Sequence, residues 1–239
     1  MRTVLEIPSS AGMYNVAPGK IIALGMNYRD HIRESNTVNV QGFSESEPEE
    51  PVLFPKHPDS IVGNGDAIRL PEILSDYRFA DERTDYEGEL AIIIGKRGYR
   101  IPRESAGEYI YGFTCANDVS QRNIQNADRS GWYRGKCFDT FLPLGPRIAL
   151  AAEIPDPQNL EITTRLNGSV VQKGNTAGMI VSIDRMVAFV SRNFTLHPGD
   201  IILTGTPSGV GSIKHGDTVE VEIERIGILK NPVVDPREE

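Results

Sequence analysis

RTDYEGELAIIIG, residues 83–95, is the stretch from which the fold can be read. Its second half, ELAIIIG (89–95), is an apolar run too short for a typical helix and rich in isoleucine, which predicts a strand. Its first half sets Glu87 and Glu89 at the mouth of that strand. Side chains at i and i+2 of a strand share a face, so the two carboxylates project side by side, about 7 Å apart at the backbone. Like charges this close raise each other's pKa unless something positive sits between them. A hard divalent cation answers that need, because it prefers carboxylate oxygen. A solvated surface pair is the plainer explanation of two such glutamates, so the motif needs support from elsewhere in the chain.

Outward from this strand the chain reads as short strands punctuated by glycine and proline. KIIALG (20–25), PVLFPK (51–56), DAIRLP (66–71) and YIYGFTCAND (109–118) are strand candidates. LEITTRLNG (160–168) and SVVQKG (169–174) flank an Asn167-Gly168 turn, a strong hairpin signal. DTVEVEIERIG (217–227) alternates, with Val219, Val221 and Ile223 on one side and Glu220, Glu222 and Glu224 on a solvated face. Gly65-Asp66, Gly199-Asp200 and Gly216-Asp217 each precede a strand and read as turns, with aspartates that bond the backbone rather than a ligand. Helices are few. SIDRMVAFVSRNF (182–194) places Ile183, Met186, Val187 and Val190 on one face behind Ser182 as N-cap, and SQRNIQNADRS (120–130) is a weaker, polar helix. The expected class is mainly β with a few helices (α+β). Residues 1–18 form an N-terminal extension and 19–239 a single domain. RESNTVNVQGFSESEPEE (33–50) has the polar, acidic composition of a mobile surface loop over a site.

Bulk properties narrow the function. The chain has 239 residues, 39% of them apolar, enough for one sizeable core. No run approaches the roughly 20 apolar residues of a membrane span, and the N-terminus lacks the apolar run of a signal peptide. Cys115 and Cys137 are too few for a disulfide framework and read as free thiols, which together with the rest predicts a cytoplasmic protein. The sequons NGS (167–169) and NFT (193–195) carry no meaning there. A formal charge of −8 with no basic block argues against nucleic acid or anionic membrane as the main partner.

Several further residues carry chemistry. Asp118 ends an apolar strand where the polar helix begins, and supplies a third carboxylate. His31 and Glu34, in LGMNYRDHIRESN (24–36), are three apart; on a helix the carboxylate can fix the imidazole tautomer, the wiring of a general base, although a surface ion pair has the same spacing. Lys136 sits among aromatics and proline in WYRGKCFDTFLPLGP (132–146). ILTGTPSGVG (202–211) is a strand leading to a Gly/Thr/Ser loop that presents donors to an anion, without the ending of a Walker loop. Lys56, in FPKHPDSI, is compatible with facing either the site or the surface, and His57, His197 and His215 read as structural.

Taken in order, LGMNYRDHIRE, FPKHPDSIVGNGDAI, DYEGELAIIIGK, YGFTCANDVSQRNIQ, WYRGKCFDTFLPLGP, LNGSVVQKGNTAGMI and LHPGDIILTGTPSGVG resemble the fumarylacetoacetate hydrolase superfamily, from about residue 19 to about residue 230. The likeness is to its short branch, which includes acylpyruvases, oxaloacetate decarboxylases and 2-hydroxyhepta-2,4-diene-1,7-dioate isomerases. The resemblance implies a distorted β-roll of mixed sheets, commonly a homodimer. It implies Glu87, Glu89 and Asp118 as ligands of Mg²⁺ or Mn²⁺, with Ca²⁺ also compatible with oxygen ligands. It implies His31 and Glu34 as a water-activating dyad and Lys136 as a stabiliser of negative charge. Gln125, with Arg122 beside it, would contact substrate, and Thr206 would bind the substrate carboxylate.

These parts share one logic. A 2-oxo acid chelates the ion, and negative charge moves onto its 2-oxo oxygen as an enolate when the bond beyond C3 breaks. The dyad favours C–C hydrolysis of acylpyruvate-type 2,4-dioxo acids, with oxaloacetate decarboxylation as a companion activity. Isomerisation of the dioates is the alternative, and a binding protein that holds a cation or a 2-oxo acid without turnover is the reading outside enzymology.

Overall fold

The computed structural model describes residues 5–35, 49–129 and 132–238. In chain order the first half supplies β1 (Leu5–Ser9), β2 (Gly12–Val16), β3 (Ile21–Gly25), α1 (Arg29–Ser35), β4 (Val52–Lys56), β5 (Ile61–Val62), β6 (Ile68–Arg69), β7 (Thr84–Tyr86), β8 (Gly88–Ile94) and β9 (Ile110–Asn117). The second half supplies β10 (Ser120–Gln121), α2 (Arg122–Ala127), α3 (Tyr133–Lys136), β11 (Leu142–Leu150), β12 (Glu161–Leu166), β13 (Ser169–Asn175), α4 (Ile183–Asn193), β14 (Ile201–Leu203), β15 (Gly211–Ser212), β16 (Thr218–Ile223) and β17 (Gly227–Val234). The main sheet runs β2-β1-β11-β9-β8-β14-β3-β4, with β5 alongside β11. A second sheet runs β13-β12-β16-β17-β6, and a small one β10-β7-β15. Parallel and antiparallel pairs mix, as in β14–β3 and β14–β8. This is the mainly β, mixed-sheet architecture expected.

β8 lies inside the main sheet with neighbours on both edges. Leu90, Ile92 and Ile94 face one hydrophobic core, and Ala91 and Ile93 face the other. A strand covered on both faces has no solvent side, which is why ELAIIIG shows no alternation. Each buried isoleucine or leucine contributes about 1.5–3 kcal/mol to that packing. β16 shows the opposite case: Val219, Val221 and Ile223 are buried while the glutamates between them point outward. The β12–β13 hairpin closes on Asn167 and Gly168 at φ 52° and 81°, the two positive values a type I′ turn requires.

The three Gly-Asp turns share one device. Asp66, Asp200 and Asp217 each accept a hydrogen bond from the backbone N–H three residues earlier, at 2.7–2.9 Å. The glycines take the positive φ. Asp200 also pairs with Lys20 at 2.6 Å. α4 buries Ile183, Met186, Val187 and Val190 as expected, but the Ser182 hydroxyl bonds the Asp184 carboxylate instead of capping the backbone.

Some boundaries differ from the sequence reading. Residues 120–121 pair with β7 as a strand, so the helix begins at Arg122, capped by the Gln121 side chain accepting from Ile124 N–H at 2.8 Å. Of 66–71 only Ile68–Arg69 pairs, parallel to β17. The β1–β2 hairpin and β11, neither read from the sequence, join at the Ser9–Ile148 register. Of the 33–50 segment, residues 36–48 lie outside the described residues. Both cysteines are free thiols. Among the described residues no helix is long and apolar enough to cross a membrane.

Candidate active site

The antiparallel pairing of β8 and β9 brings the start of one strand beside the end of the other, with Gly88 opposite Asn117. Asp118 N–H then donates to the Glu87 carbonyl at 2.9 Å, and Glu87 N–H donates to Asn117 Oδ1 at 2.9 Å. Carboxylate oxygens of Glu87, Glu89 and Asp118 all lie within 4.8 Å of one another, and all three side chains are buried. The convergence expected from ExE and the distant aspartate is therefore realised in the fold.

The acids do not stand alone. Lys136 Nζ donates to Glu87 Oε2 at 2.6 Å and to Asp118 Oδ2 at 2.7 Å, and lies 5.1 Å from the centre of the Phe54 ring. Arg122 pairs with the other Glu87 oxygen and donates to Asp85 Oδ2 at 2.7 Å. Lys56 Nζ, fully buried, donates to Asp118 Oδ1 at 2.6 Å and to the Phe141 carbonyl at 2.8 Å. Arg83 Nε donates to Asp85 Oδ1 at 2.8 Å. Glu89 differs: among the described residues no cation lies within ion-pair distance, and its Oε2 accepts from Gly205 N–H at 2.8 Å.

These surroundings split the two glutamates. Burial works against an ionised Glu87, but Lys136 and Arg122 outweigh it and hold the carboxyl well below the usual range. Burial, reinforced by Asp118 and Glu87, drives the Glu89 carboxyl well above it. For Lys136, burial opposes the charge, and Asp118 and Glu87 more than restore it. Burial lowers Lys56 even with Asp118 beside it. An oxygen-only cluster with one crowded acid fits a hard divalent cation, which would relieve the repulsion on Glu89.

A cleft opens over this cluster, lined by His31, Glu87, Glu89, Arg122, Gln125, Lys136 and Thr206 on the polar side. Leu24, Gly25, Met26, Phe54 and Trp132 form the apolar side. Met26 holds a left-handed φ of 59° there. Asp118 is buried close to Glu87 and Glu89 but is not on the cleft wall. His31 Nδ1 is 3.7 Å from Glu34 Oε2, longer than a hydrogen bond. Glu34 also accepts from Gly209 N–H at 2.8 Å. Burial acts against it, yet His31 and the loop N–H hold the Glu34 carboxyl below its ordinary value. Gln125 Oε1 accepts from Arg122 at 3.0 Å, which leaves its NH₂ as what it can offer the cleft. The Thr206 hydroxyl is engaged on both sides, donating to the Gly88 carbonyl and accepting from Gln172, each at 2.9 Å.

Lys56 and Asp85 are among the site residues that sequence reasoning left unassigned. Both had a signal. Lys56 is two residues past Phe54 on β4, which puts it on the same inward face. Asp85 extends the Glu87–Glu89 spacing by two more residues.

Residues 20–234 match the family described as fumarylacetoacetate (FAA) hydrolase, C-terminal. The chain belongs to this family. Human mitochondrial oxaloacetate tautomerase is 43% identical over 226 residues, 91% of this chain and 67% of that one. Fumarylpyruvate hydrolase from Pseudomonas aeruginosa, solved with Mn²⁺ and pyruvate, superposes with a TM-score of 0.84 at 29% identity, covering 98% of this chain and 97% of that one. A 2-hydroxyhepta-2,4-diene-1,7-dioate isomerase from Mycobacterium marinum does so with 0.77 at 39% identity, covering 95% and 79%. These relatives are hydrolases, isomerases and tautomerases, so the family is one of enzymes, and a divalent metal accompanies a relative's site.

Proposed function

We propose that this protein is a divalent-metal-dependent enzyme that moves 2-oxo acids through their enol form, and that its reaction is keto–enol interconversion of a short 2-oxo acid such as oxaloacetate. The observation that carries this reading is the charge balance of the site. Asp85, Glu87 and Asp118 pair with Lys56, Arg83, Arg122 and Lys136, and Glu89 stands beside them without a cation; with all four acids ionised, as a bound divalent ion would hold them, four acids balance four cations. Glu87, Glu89 and Asp118 would hold an ion of Mg²⁺ or Mn²⁺ type, which when bound acts as a Lewis acid toward the carboxylate and 2-oxo oxygen of the substrate. The two positive charges it adds match the chelating end of an enolised 2-oxo acid, one negative charge on the C1 carboxylate and one on the 2-oxo oxygen; the C4 carboxylate of oxaloacetate is a further charge outside that end.

The chain's own groups then divide the work. His31, on the cleft wall, is the base that takes a proton from C3 of the substrate. The electron pair of that C–H bond moves toward the 2-oxo oxygen, and returning the proton to oxygen completes the enol. Lys136 stays protonated, because Asp118 and Glu87 hold its charge, so it acts as a fixed cation where negative charge develops. Gln125 offers its amide donors from α2. The identity to oxaloacetate tautomerases supports this reaction over its neighbours.

A second reading, hydrolysis of an acylpyruvate, is favoured by the Glu34 carboxylate beside His31, which can orient the imidazole toward a water. One assay separates the two. Loss of enol absorbance from oxaloacetate is followed with Mn²⁺ or Mg²⁺, in parallel with pyruvate release from acetylpyruvate and from oxaloacetate. Acceleration of the first alone supports the tautomerase, and pyruvate release from acetylpyruvate supports the hydrolase. No metal-dependent acceleration of any of them overturns the proposal.

A further inference from the structure

LNGSVVQKGNTAGMI enters the family pattern, yet none of its residues has a part in the chemistry so far. Gln172 lies in it, on β13 of the second sheet, and is the one fully buried residue of that strand. A primary amide in such a place has to find partners for both ends. Gln172 finds them at the metal cluster. Its Oε1 accepts from Gly88 N–H at 3.0 Å, and its Nε2 donates to Thr206 Oγ1 at 2.9 Å and to the Pro207 carbonyl at 2.8 Å. Thr206 Oγ1 in turn donates to the Gly88 carbonyl at 2.9 Å. The bonds close a ring that grips both peptide groups of Gly88, the residue between Glu87 and Glu89.

Gly88 has no room to yield. A Cβ there would lie 2.2 Å from Thr164 Oγ1 and 3.3 Å from Gln172 Oε1. The same ring fixes the 205–207 turn, whose Gly205 N–H meets Glu89 Oε2 at 2.8 Å. One side chain from a different sheet thus holds the backbone of the glutamate pair and the loop that supports the more crowded glutamate.

We propose that Gln172, acting with the Thr206 hydroxyl, is a positioning residue for the metal site: it sets the placement of Glu87 and Glu89 and holds Gly205 N–H against Glu89. The proposal rests on the reading that Glu87, Glu89 and Asp118 hold a divalent ion. It assigns the Thr206 hydroxyl to the scaffold rather than to substrate. Outer-shell partners of ligands are typically worth about 10–100-fold in metal affinity.

The test is Mn²⁺ binding by titration calorimetry on the full chain after chelator treatment, with thermal unfolding in chelator recorded alongside. Gln172→Met keeps the length and removes every bond, Thr206→Val keeps the shape and removes the hydroxyl, and Thr206→Ser keeps the hydroxyl. Each of the first two is expected to weaken Mn²⁺ binding about 10-fold or more. The double variant is expected to lose less than the product of the two, because both belong to one ring. Thr206→Ser is expected to stay within about twofold of wild type. Val219→Ala, a cavity on β16 at a residue that makes none of the ring's bonds, is expected to lower the melting temperature with Mn²⁺ affinity unchanged. Wild-type affinity in Gln172→Met or in Thr206→Val overturns the proposal, as does equal weakening in Thr206→Ser or Val219→Ala. If Gln172→Met does not fold, the Thr206 pair decides. Failure of the wild type to bind Mn²⁺ overturns the metal reading itself, whereas a binding wild type with unaffected variants overturns only the part given to Gln172.

Discussion

Replacing Lys56 by methionine tests whether the chain neutralises its own metal site. Lys56 Nζ is 2.6 Å from Asp118 Oδ1 and 2.8 Å from the Phe141 carbonyl, with neither side chain of the ion pair exposed. Methionine fills a similar volume without a charge or a donor, so Asp118 Oδ1 and the carbonyl lose a buried partner. Removing one member of a buried pair costs about 3–5 kcal/mol. Two features favour the low end. Lys136 still reaches Asp118 Oδ2 at 2.7 Å. The buried Lys56 ammonium is itself costly, as its lowered pKa records, and methionine recovers part of that cost. The expected loss in chelator is about 3 kcal/mol, or about 6–12 °C in melting temperature for a chain of this size. A divalent ion at 100 times its dissociation constant adds about 2.7 kcal/mol to either protein; at one fixed Mn²⁺ concentration the variant, whose acids lack one cation, binds the ion more tightly and gains more. Thermal unfolding of Lys56→Met and wild type, each with chelator and with Mn²⁺, gives the result. The Mn²⁺-induced shift should be larger in the variant. A variant melting within about 2 °C of wild type in chelator, or an equal Mn²⁺ shift in both, would refute the idea that Lys56 offsets the charge of Asp118.

Three further outcomes follow from the same geometry. Glu89→Gln should abolish Mn²⁺ binding in calorimetry while the metal-free protein keeps its fold. Because burial, Asp118 and Glu87 raise the Glu89 carboxyl above its ordinary value, its contribution to stability is full below the unfolded carboxyl pKa and is lost as pH rises through the folded one. In chelator the variant should therefore gain on wild type as pH climbs above about 4.5, and parallel melting profiles would contradict this. Gly88→Ala should lower stability by about 1–3 kcal/mol through the 2.2 Å approach to Thr164 Oγ1, and should weaken Mn²⁺ binding by displacing both glutamates. His31→Ala should cost at least about 100-fold in enolisation rate with Mn²⁺ affinity nearly unchanged; an equal loss of both would remove His31 from proton transfer.

The class of fold was legible in the local pattern, and spacing nominated the Glu87–Glu89 pair and the His31–Glu34 pair. Apolar runs such as ELAIIIG, the alternation of β16 and the Asn167-Gly168 turn are local patterns, each set by the period of a strand or the φ a turn demands. The Glu87–Glu89 spacing is local in the same sense. Which cations answer those acids was decided by tertiary structure alone. Lys56, Arg122 and Lys136 come from β4, α2 and α3, and Gln172 from another sheet, so their meeting depends on strand order and register rather than on neighbouring residues. The same holds where local reading failed: 120–121 join a strand because β7 lies beside them, and Ser182 leaves its cap for Asp184. Periodicity records which face of an element is buried, but the long-range pairing that selects what lies against that face leaves no period in the chain.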